Sequence, residues 1–120
     1  MIVDDDVSFL KVAQTLLESG GVKVAGVAST CAGAVERVAA LRPDVVLIDI
    51  RLGEESGFDV ARELAAASEL ATDGQAPTLI MISTHAAADY ADLIAESPVT
   101  GFLPKAELSA AAVGRIIKAR

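Results

Sequence analysis

Five short apolar runs alternate with segments of helical periodicity along this chain, and this alternation restricts the possible folds more than any other feature. The runs are rich in β-branched residues and cover positions 2–3, 22–27, 45–48, 78–82 and 102–103, so they are predicted to be strands. After each run, apolar residues recur every three or four positions, which predicts a helix. In the first helix these positions are Phe9, Val12, Ala13, Leu16 and Leu17.

The predicted strands are continuously apolar, which is typical of a sheet covered by helices on both faces. The regular insertion of a helix between strands indicates parallel pairing through right-handed crossovers. The sequence therefore predicts an α/β three-layer sandwich around a five-stranded parallel sheet. A chain of 120 residues is long enough for one hydrophobic core and too short for two. We expect residues 1–120 to form a single domain, with residues 71–77 as a surface loop.

Composition and charge exclude several classes of protein. The net charge of −7 would repel a phosphate backbone, which disfavours direct nucleic-acid binding by this domain. A lone cysteine, Cys31, excludes an internal disulfide. No apolar stretch approaches the length of about 18 residues that a membrane span needs, and the N-terminus runs directly into acidic residues instead of a signal peptide. We expect a cytoplasmic protein without membrane association.

Polar side chains follow four of the five predicted strands. Because the carboxyl ends of parallel strands meet at one edge of the sheet, where ligands bind in such folds, these side chains should converge. Clustered carboxylates repel one another unless a cation is present, and their hard oxygen atoms suit Mg²⁺. A carboxylate nucleophile, a lysine and a hydroxyl beside a metal are the groups that phosphoryl transfer requires. The converging residues are Asp4, Asp5, Asp49, Ser83, Thr84 and Lys105, whereas Asp6 is expected to cap the first helix.

In these features the chain resembles the receiver domain of two-component response regulators over essentially its whole length. Four motifs carry the resemblance: Ile-Val-Asp-Asp-Asp at 2–6, Asp-Val-Val-Leu-Ile-Asp at 44–49, Ile-Ser-Thr at 82–84 and Gly-Phe-Leu-Pro-Lys at 101–105. Their spacing agrees with the family, since Asp49 lies 44 positions after Asp5 and Lys105 lies 22 positions after Ser83. The resemblance implies a flavodoxin-like (βα)5 fold with strand order 2-1-3-4-5.

The resemblance also implies a chemistry for the acidic residues. Asp49 would accept a phosphoryl group from a phosphohistidine on a sensor histidine kinase or a phosphotransfer protein. Asp5 would bind Mg²⁺ directly and Asp4 through water, while Asp49 and the backbone carbonyl of Arg51 would complete the protein ligands of the metal. The chain would then be a signalling switch that catalyses only its own phosphorylation and dephosphorylation, and not a metabolic enzyme.

Three further residues resemble the parts of the family's switch. Lys105 would contact a phosphoryl oxygen, the Ser83 hydroxyl would turn toward the phosphoryl group, and Phe102 would turn inward. The face formed by the fourth helix, the fifth strand and the fifth helix would then meet a partner. Two alternatives stay open: Thr84 would face the site if the strand were shifted by one residue, and Phe102 could be an ordinary core residue.

Other functions fit the sequence less well. A mononucleotide-binding flavodoxin-like protein would need a phosphate loop after the first strand, where this chain is triply acidic. A phosphatase of the haloacid dehalogenase type would need Asp-x-Asp where this chain has Asp49-Ile50-Arg51. The remaining alternative is a phosphorylation-independent pseudo-receiver that acts as a protein-binding module. The only histidine, His85, is expected to be solvated.

The output of the domain is left open by the sequence. The chain could be a stand-alone regulator or part of a longer protein. The segment that starts at Gly101 resembles receivers that precede a DNA-binding helix-turn-helix domain. A phosphorylation-dependent homodimer is a further possibility that the sequence does not decide.

Overall fold

The computed structural model describes residues 1–69, 76–84 and 87–118. His85 and most of the predicted loop at 71–77 lie outside these ranges. The strands are β1 (Ile2–Val3), β2 (Val27–Ala28), β3 (Val45–Asp49), β4 (Arg51–Leu52), β5 (Glu55–Ser56), β6 (Thr78–Ser83) and β7 (Gly101–Pro104). The helices are α1 (Val7–Ser19), α2 (Cys31–Leu41), α3 (Gly57–Glu69), α4 (Ala91–Glu96) and α5 (Ala110–Lys118).

The main sheet has five parallel strands in the order β2-β1-β3-β6-β7. Since β6 and β7 are the fourth and fifth strands of the predicted alternation, the expected order 2-1-3-4-5 is confirmed. The longest pairing joins β3 to β6, where Asp49 lies opposite Ile82. In the next pair of strands, Ser83 lies opposite Pro104. All strands run in one direction, so their carboxyl ends share one edge.

Helices cover both faces of this sheet, which confirms the predicted three-layer sandwich. One apolar cluster combines Val46 and Ile48 with residues of α2 and α3. A second cluster combines Leu47 with residues of α1 and α5 on the opposite face. Adjacent residues of β3 belong to different clusters because successive side chains of a strand point to opposite faces. We call the first the α2/α3 cluster and the second the α1/α5 cluster, and we call the side of the sheet that the second covers the α1/α5 face.

The predicted second strand at 22–27 is wrong in its extent, since only Val27 and Ala28 pair as a strand. The reason is the length of its neighbour. A parallel strand is defined by its hydrogen-bonded partner, and the two residues of β1 give β2 only two partners, so that Val27 pairs with Ile2 and Ala28 with Val3. The side chains of Val22 and Val24 still pack against the α1/α5 cluster. The apolar composition of this segment therefore predicts its contact with the core correctly, but not its strand pairing.

The buried stripe of α1 differs from the predicted one, because it includes Leu10, which the prediction left out, and excludes Val12 and Leu16. Leu10, Ala13 and Leu17 are buried, whereas Val12 is 56% exposed and Leu16 is 44% exposed. Positions 10, 13 and 17 are separated by three and four residues, so they lie on one side of the helix, which is the side that contacts the sheet. The predicted N-cap is confirmed, because the Asp6 carboxylate accepts a hydrogen bond from the first turn of α1.

A small hairpin after β3 is absent from the predicted elements. Its strands β4 and β5 pair antiparallel, and Gly53 in the turn has a φ of 60°. That left-handed backbone conformation favours glycine. The hairpin leads directly into Gly57 at the start of α3. The N–H of Gly57 donates to the carbonyl of Ile50 at 2.7 Å. A Cβ atom at position 57 would overlap the carbonyl oxygen of Asp49.

No helix within the described ranges is long and apolar enough to cross a membrane.

Candidate functional site

Three charged side chains meet at the carboxyl edge of the sheet, where three parallel strands end. Each lies two residues beyond a side chain that is buried on the α1/α5 face, and for Asp49, the last residue of β3, strand alternation directs the side chain to that face. The buried residues are Ile2, Leu47 and Leu103, and the charged residues that follow are Asp4, Asp49 and Lys105. Asp49 at the end of β3, Asp4 directly after β1 and Lys105 directly after β7 thus bring two carboxylates and one ammonium group together.

The Lys105 ammonium group lies between the two carboxylates. Its Nζ atom is 2.7 Å from Asp4 Oδ2 and 3.3 Å from Asp49 Oδ2. On another side it lies 4.3 Å from the centroid of the Phe9 ring. The side chain of Lys105 is only 12% exposed, so its charge is largely removed from water and interacts strongly with its neighbours.

Asp4 is the most deeply buried of the acidic residues, with no exposed surface. Its Oδ1 accepts a hydrogen bond from the Asp6 N–H at 2.9 Å. Its Oδ2 forms an ion pair of 2.7 Å with the Lys105 ammonium group, and no other hydrogen-bond donor contacts this oxygen within residues 1–69, 76–84 and 87–118. A carboxylate oxygen can accept more than one interaction, so a cation could also contact this oxygen beside Lys105.

The Asp49 carboxylate has an unusually high proton affinity. Its Oδ2 accepts from Lys105, and its Oδ1 accepts a long hydrogen bond of 3.4 Å from the Arg51 N–H. Burial and, secondarily, the negative charge of Asp4 raise the pKa of Asp49 to about 6, although Lys105 and the Arg51 N–H oppose the shift. For Lys105, burial lowers the pKa, but the two carboxylates outweigh burial and the pKa is raised.

Asp5 adds a third carboxylate at the exposed rim of this cluster. One oxygen atom from each of Asp4, Asp5 and Asp49 can be chosen so that all three lie within 4.8 Å of one another. Hard carboxylate oxygens at this spacing fit a small divalent cation such as Mg²⁺. The backbone carbonyl of Arg51 stays a predicted ligand, since only the N–H of that residue is found against Asp49.

The predicted switch residues lie beside this cluster on β6 and β7. Ser83 is the last residue of β6 and is buried, whereas Thr84 is exposed. The register places Ser83 next to Pro104, the residue before Lys105. Phe102 is half-buried and packs against the α2/α3 cluster, on the face opposite Asp49. The burial favours Ser83 over Thr84 as the inward hydroxyl, and the switching role of both Ser83 and Phe102 stays a prediction.

Sequence reasoning missed the contact of Phe9 with Lys105. We assigned Phe9 to the core because of its helical spacing, and it does pack against the α1/α5 cluster. The available signal was its position three residues after Asp6, in the first turn of the helix that follows the acidic residues. Such a residue must lie near the carboxyl edge of the sheet, where Lys105 also lies.

Comparison with known proteins bears on the family and the fold of this chain. A sequence model of the family described as "Response regulator receiver domain" matches residues 1–116. The receiver domain of the putative response regulator NarL from Mycobacterium tuberculosis superposes with a TM-score of 0.81 at 27% identity, covering 99% of this chain and 94% of that one. The chemotaxis protein CheY4 of Vibrio cholerae superposes with a TM-score of 0.79 at 19% identity, and the match covers 98% of this chain and 93% of that one. At this identity the likeness shows the fold alone.

Curated relatives include both short and long proteins. The chemotaxis protein CheY of Thermotoga maritima is 34% identical over 64 residues, which is 53% of each chain. A protein-glutamate methylesterase/protein-glutamine glutaminase of Halobacterium salinarum is 29% identical over 101 residues, or 84% of this chain and 27% of that protein. This chain thus spans about a quarter of the length of such methylesterases. From the match over residues 1–116, the chain belongs to the response regulator receiver domain family.

Proposed function

We propose that this receiver is a cytoplasmic signalling switch that accepts a phosphoryl group on Asp49 in a Mg²⁺-dependent reaction. The donor would be a phosphohistidine on a sensor histidine kinase or a phosphotransfer protein. The single observation that carries the proposal is the convergence of Asp4, Asp49 and Lys105 at the carboxyl edge of the sheet, with Asp5 at its rim. Membership in the family supports the same chemistry.

In the proposed reaction, an Asp49 carboxylate oxygen forms a bond to phosphorus while the P–N bond of the phosphohistidine breaks. The electron pair of that bond remains on the departing imidazole. Lys105 would neutralise charge on the phosphoryl oxygens and hold Asp49 in place, which is the positioning and electrostatic role that phosphoryl transfer demands. Bound Mg²⁺, held by Asp4, Asp5, Asp49 and the Arg51 carbonyl, would supply charge stabilisation at the same oxygens.

Phosphorylation would then change the surface around β7. The Ser83 hydroxyl would move toward the phosphoryl group and Phe102 would move inward, which would reshape the face formed by α4, β7 and α5. We propose that this face meets the downstream partner, either a separate protein or a DNA-binding domain in the same polypeptide, and that it can also support a homodimer. This domain itself would bind neither nucleic acid nor membranes, and residues 1–120 would act as one unit.

The test is the intact mass of the protein after incubation with acetyl phosphate and Mg²⁺. Asp49→Asn removes the proposed acceptor, and EDTA removes the metal. Asp59→Asn provides a matched control, because Asp59 is an exposed carboxylate at the start of α3. We expect one added phosphoryl group on the parent and on Asp59→Asn, and none on Asp49→Asn or in EDTA.

An adduct that persists in Asp49→Asn would contradict the assignment of the acceptor. Absence of any adduct on the parent, together with no Mg²⁺ binding by titration, would contradict the proposed chemistry altogether. The pseudo-receiver alternative would then explain the chain better, and the next experiment would be a search for a constitutive protein partner.

A further inference from the structure

The Lys105 ammonium group is held by two carboxylates and, on a separate side, by an aromatic ring. Lysine has a long flexible chain and a compact charge, so two nearby carboxylates alone leave it several ways to reorient. The face of an aromatic ring attracts a cation electrostatically within about 6 Å. The distance of 4.3 Å from Lys105 Nζ to the centroid of the Phe9 ring is well inside that range.

The Phe9 ring is itself fixed by its surroundings. Its backbone N–H donates to Asp6 Oδ1 at 3.2 Å, which anchors the first turn of α1. Its side chain packs against the α1/α5 cluster. Residues 4–9 thus supply both a carboxylate that contacts Lys105 and the ring that contacts it from another side. A shift of α1 would move the ring relative to β7.

We propose that Phe9 is a positioning residue that keeps the Lys105 ammonium group against Asp4 and Asp49. The proposal rests on the phosphoryl-transfer function proposed above. An aromatic ring accepts no strong hydrogen bond, so the lysine donors remain available for the carboxylates and for phosphoryl oxygens. The ring also excludes water from one side of the ammonium group, which strengthens its remaining electrostatic interactions.

Substitution of the ring should therefore reduce the phosphorylation rate through Lys105. We expect Phe9→Leu, which keeps an apolar side chain but removes the ring, to slow phosphorylation by acetyl phosphate about 3- to 10-fold. Phe9→Tyr keeps the ring and should retain a rate within about twofold of the parent. Leu17→Val is the matched control, because it trims another buried α1 residue of the same cluster at the far end of the helix.

A readout independent of activity comes from NMR of lysine side chains. The chain has four lysines, at positions 11, 23, 105 and 118, so selective isotope labelling gives a simple spectrum. Lys105→Arg identifies the Lys105 signals. Groups above an aromatic ring are displaced upfield by its ring current, so we expect an upfield Lys105 signal in the parent, in Phe9→Tyr and in Leu17→Val. The displacement should disappear in Phe9→Leu.

The proposal is supported if Phe9→Leu loses the upfield displacement of the Lys105 signal and is phosphorylated more slowly, while Phe9→Tyr and Leu17→Val keep both the displacement and the rate of the parent. An unchanged rate in Phe9→Leu, or an equal loss of rate in Leu17→Val, would overturn it. If Phe9→Leu does not fold, Phe9→Met is measured in its place by the same criteria. Failure of the parent to take up a phosphoryl group would refute the proposed function instead, while the NMR comparison would still test whether the ring fixes Lys105.

Discussion

Removal of the Asp49 charge should stabilise the metal-free protein, and the gain should depend on pH. Asp49 has a pKa of about 6 in the folded protein, against an ordinary value of 3.8. The folded state therefore holds this proton more tightly than the unfolded chain does. Between these two pKa values, rising pH ionises the unfolded chain first, so the contribution of Asp49 to stability falls with pH. Asp49→Asn lacks this titration.

The size of the effect follows from the shift in pKa. A change from 3.8 to about 6 corresponds to at most about 3 kcal/mol of lost stability once Asp49 is fully ionised. Screening at the edge of the sheet lowers this value, so we expect Asp49→Asn to be more stable than the parent by about 1–3 kcal/mol near pH 7.5. Near pH 4 the difference should shrink to less than about 1 kcal/mol.

The assay is urea unfolding of both proteins in EDTA across this pH range. Taking the difference between parent and variant cancels the titration of every other group that behaves alike in both. Added Mg²⁺ should then reduce the advantage of Asp49→Asn, because a cation that binds only the folded parent stabilises it. A difference that does not change with pH, or an Asp49→Asn variant that is less stable near pH 7.5, would refute the reasoning.

Three further predictions concern the metal, a thiol and a helix cap. Asp5→Ala should weaken Mg²⁺ binding at least about 10-fold in calorimetric titration, whereas Asp6→Ala should not, and equal affinities would remove Asp5 from the site. Burial and then a hydrogen bond to Glu63 raise the pKa of the Cys31 thiol to about 12, so alkylation should be slow at neutral pH and faster in Glu63→Gln; no acceleration would contradict the role of Glu63. Thr30→Ala should cost about 1 kcal/mol in urea unfolding because the N-cap of α2 is lost, and an unchanged midpoint would contradict this.

The fold could be predicted because its signals are local and redundant. Continuous apolar runs such as 45–48 report a strand buried on both faces, whichever strand lies beside it. Pairing is different, since it depends on the neighbour. Residues 22–26 have the composition of a strand, but no strand pairs with them. Their lack of pairing could not be predicted from their own sequence. The hairpin at 51–56 was missed because each of its strands has only two residues.

The acidic cluster could be predicted for a similar reason. Parallel strands bring their carboxyl ends together, so Asp4, Asp49 and Lys105 were expected at one edge without any knowledge of side-chain conformations. The relation of Lys105 to Phe9 could not be derived in this way. It depends on the tilt of α1 over the sheet and on the conformation of one flexible side chain. Neither of these is indicated by a repeating pattern in the sequence.

The close approach of Gly57 to β3 affects how the chain tolerates variation. Gly57 carries no group that could bind a metal or a phosphoryl group, yet any larger residue there must push the carbonyl of Asp49 out of place. In a mutagenesis screen for lost signalling, substitutions at this glycine should therefore be as damaging as substitutions of the acceptor itself. A variant classified only by its chemistry would look harmless, because every reactive side chain would still be present.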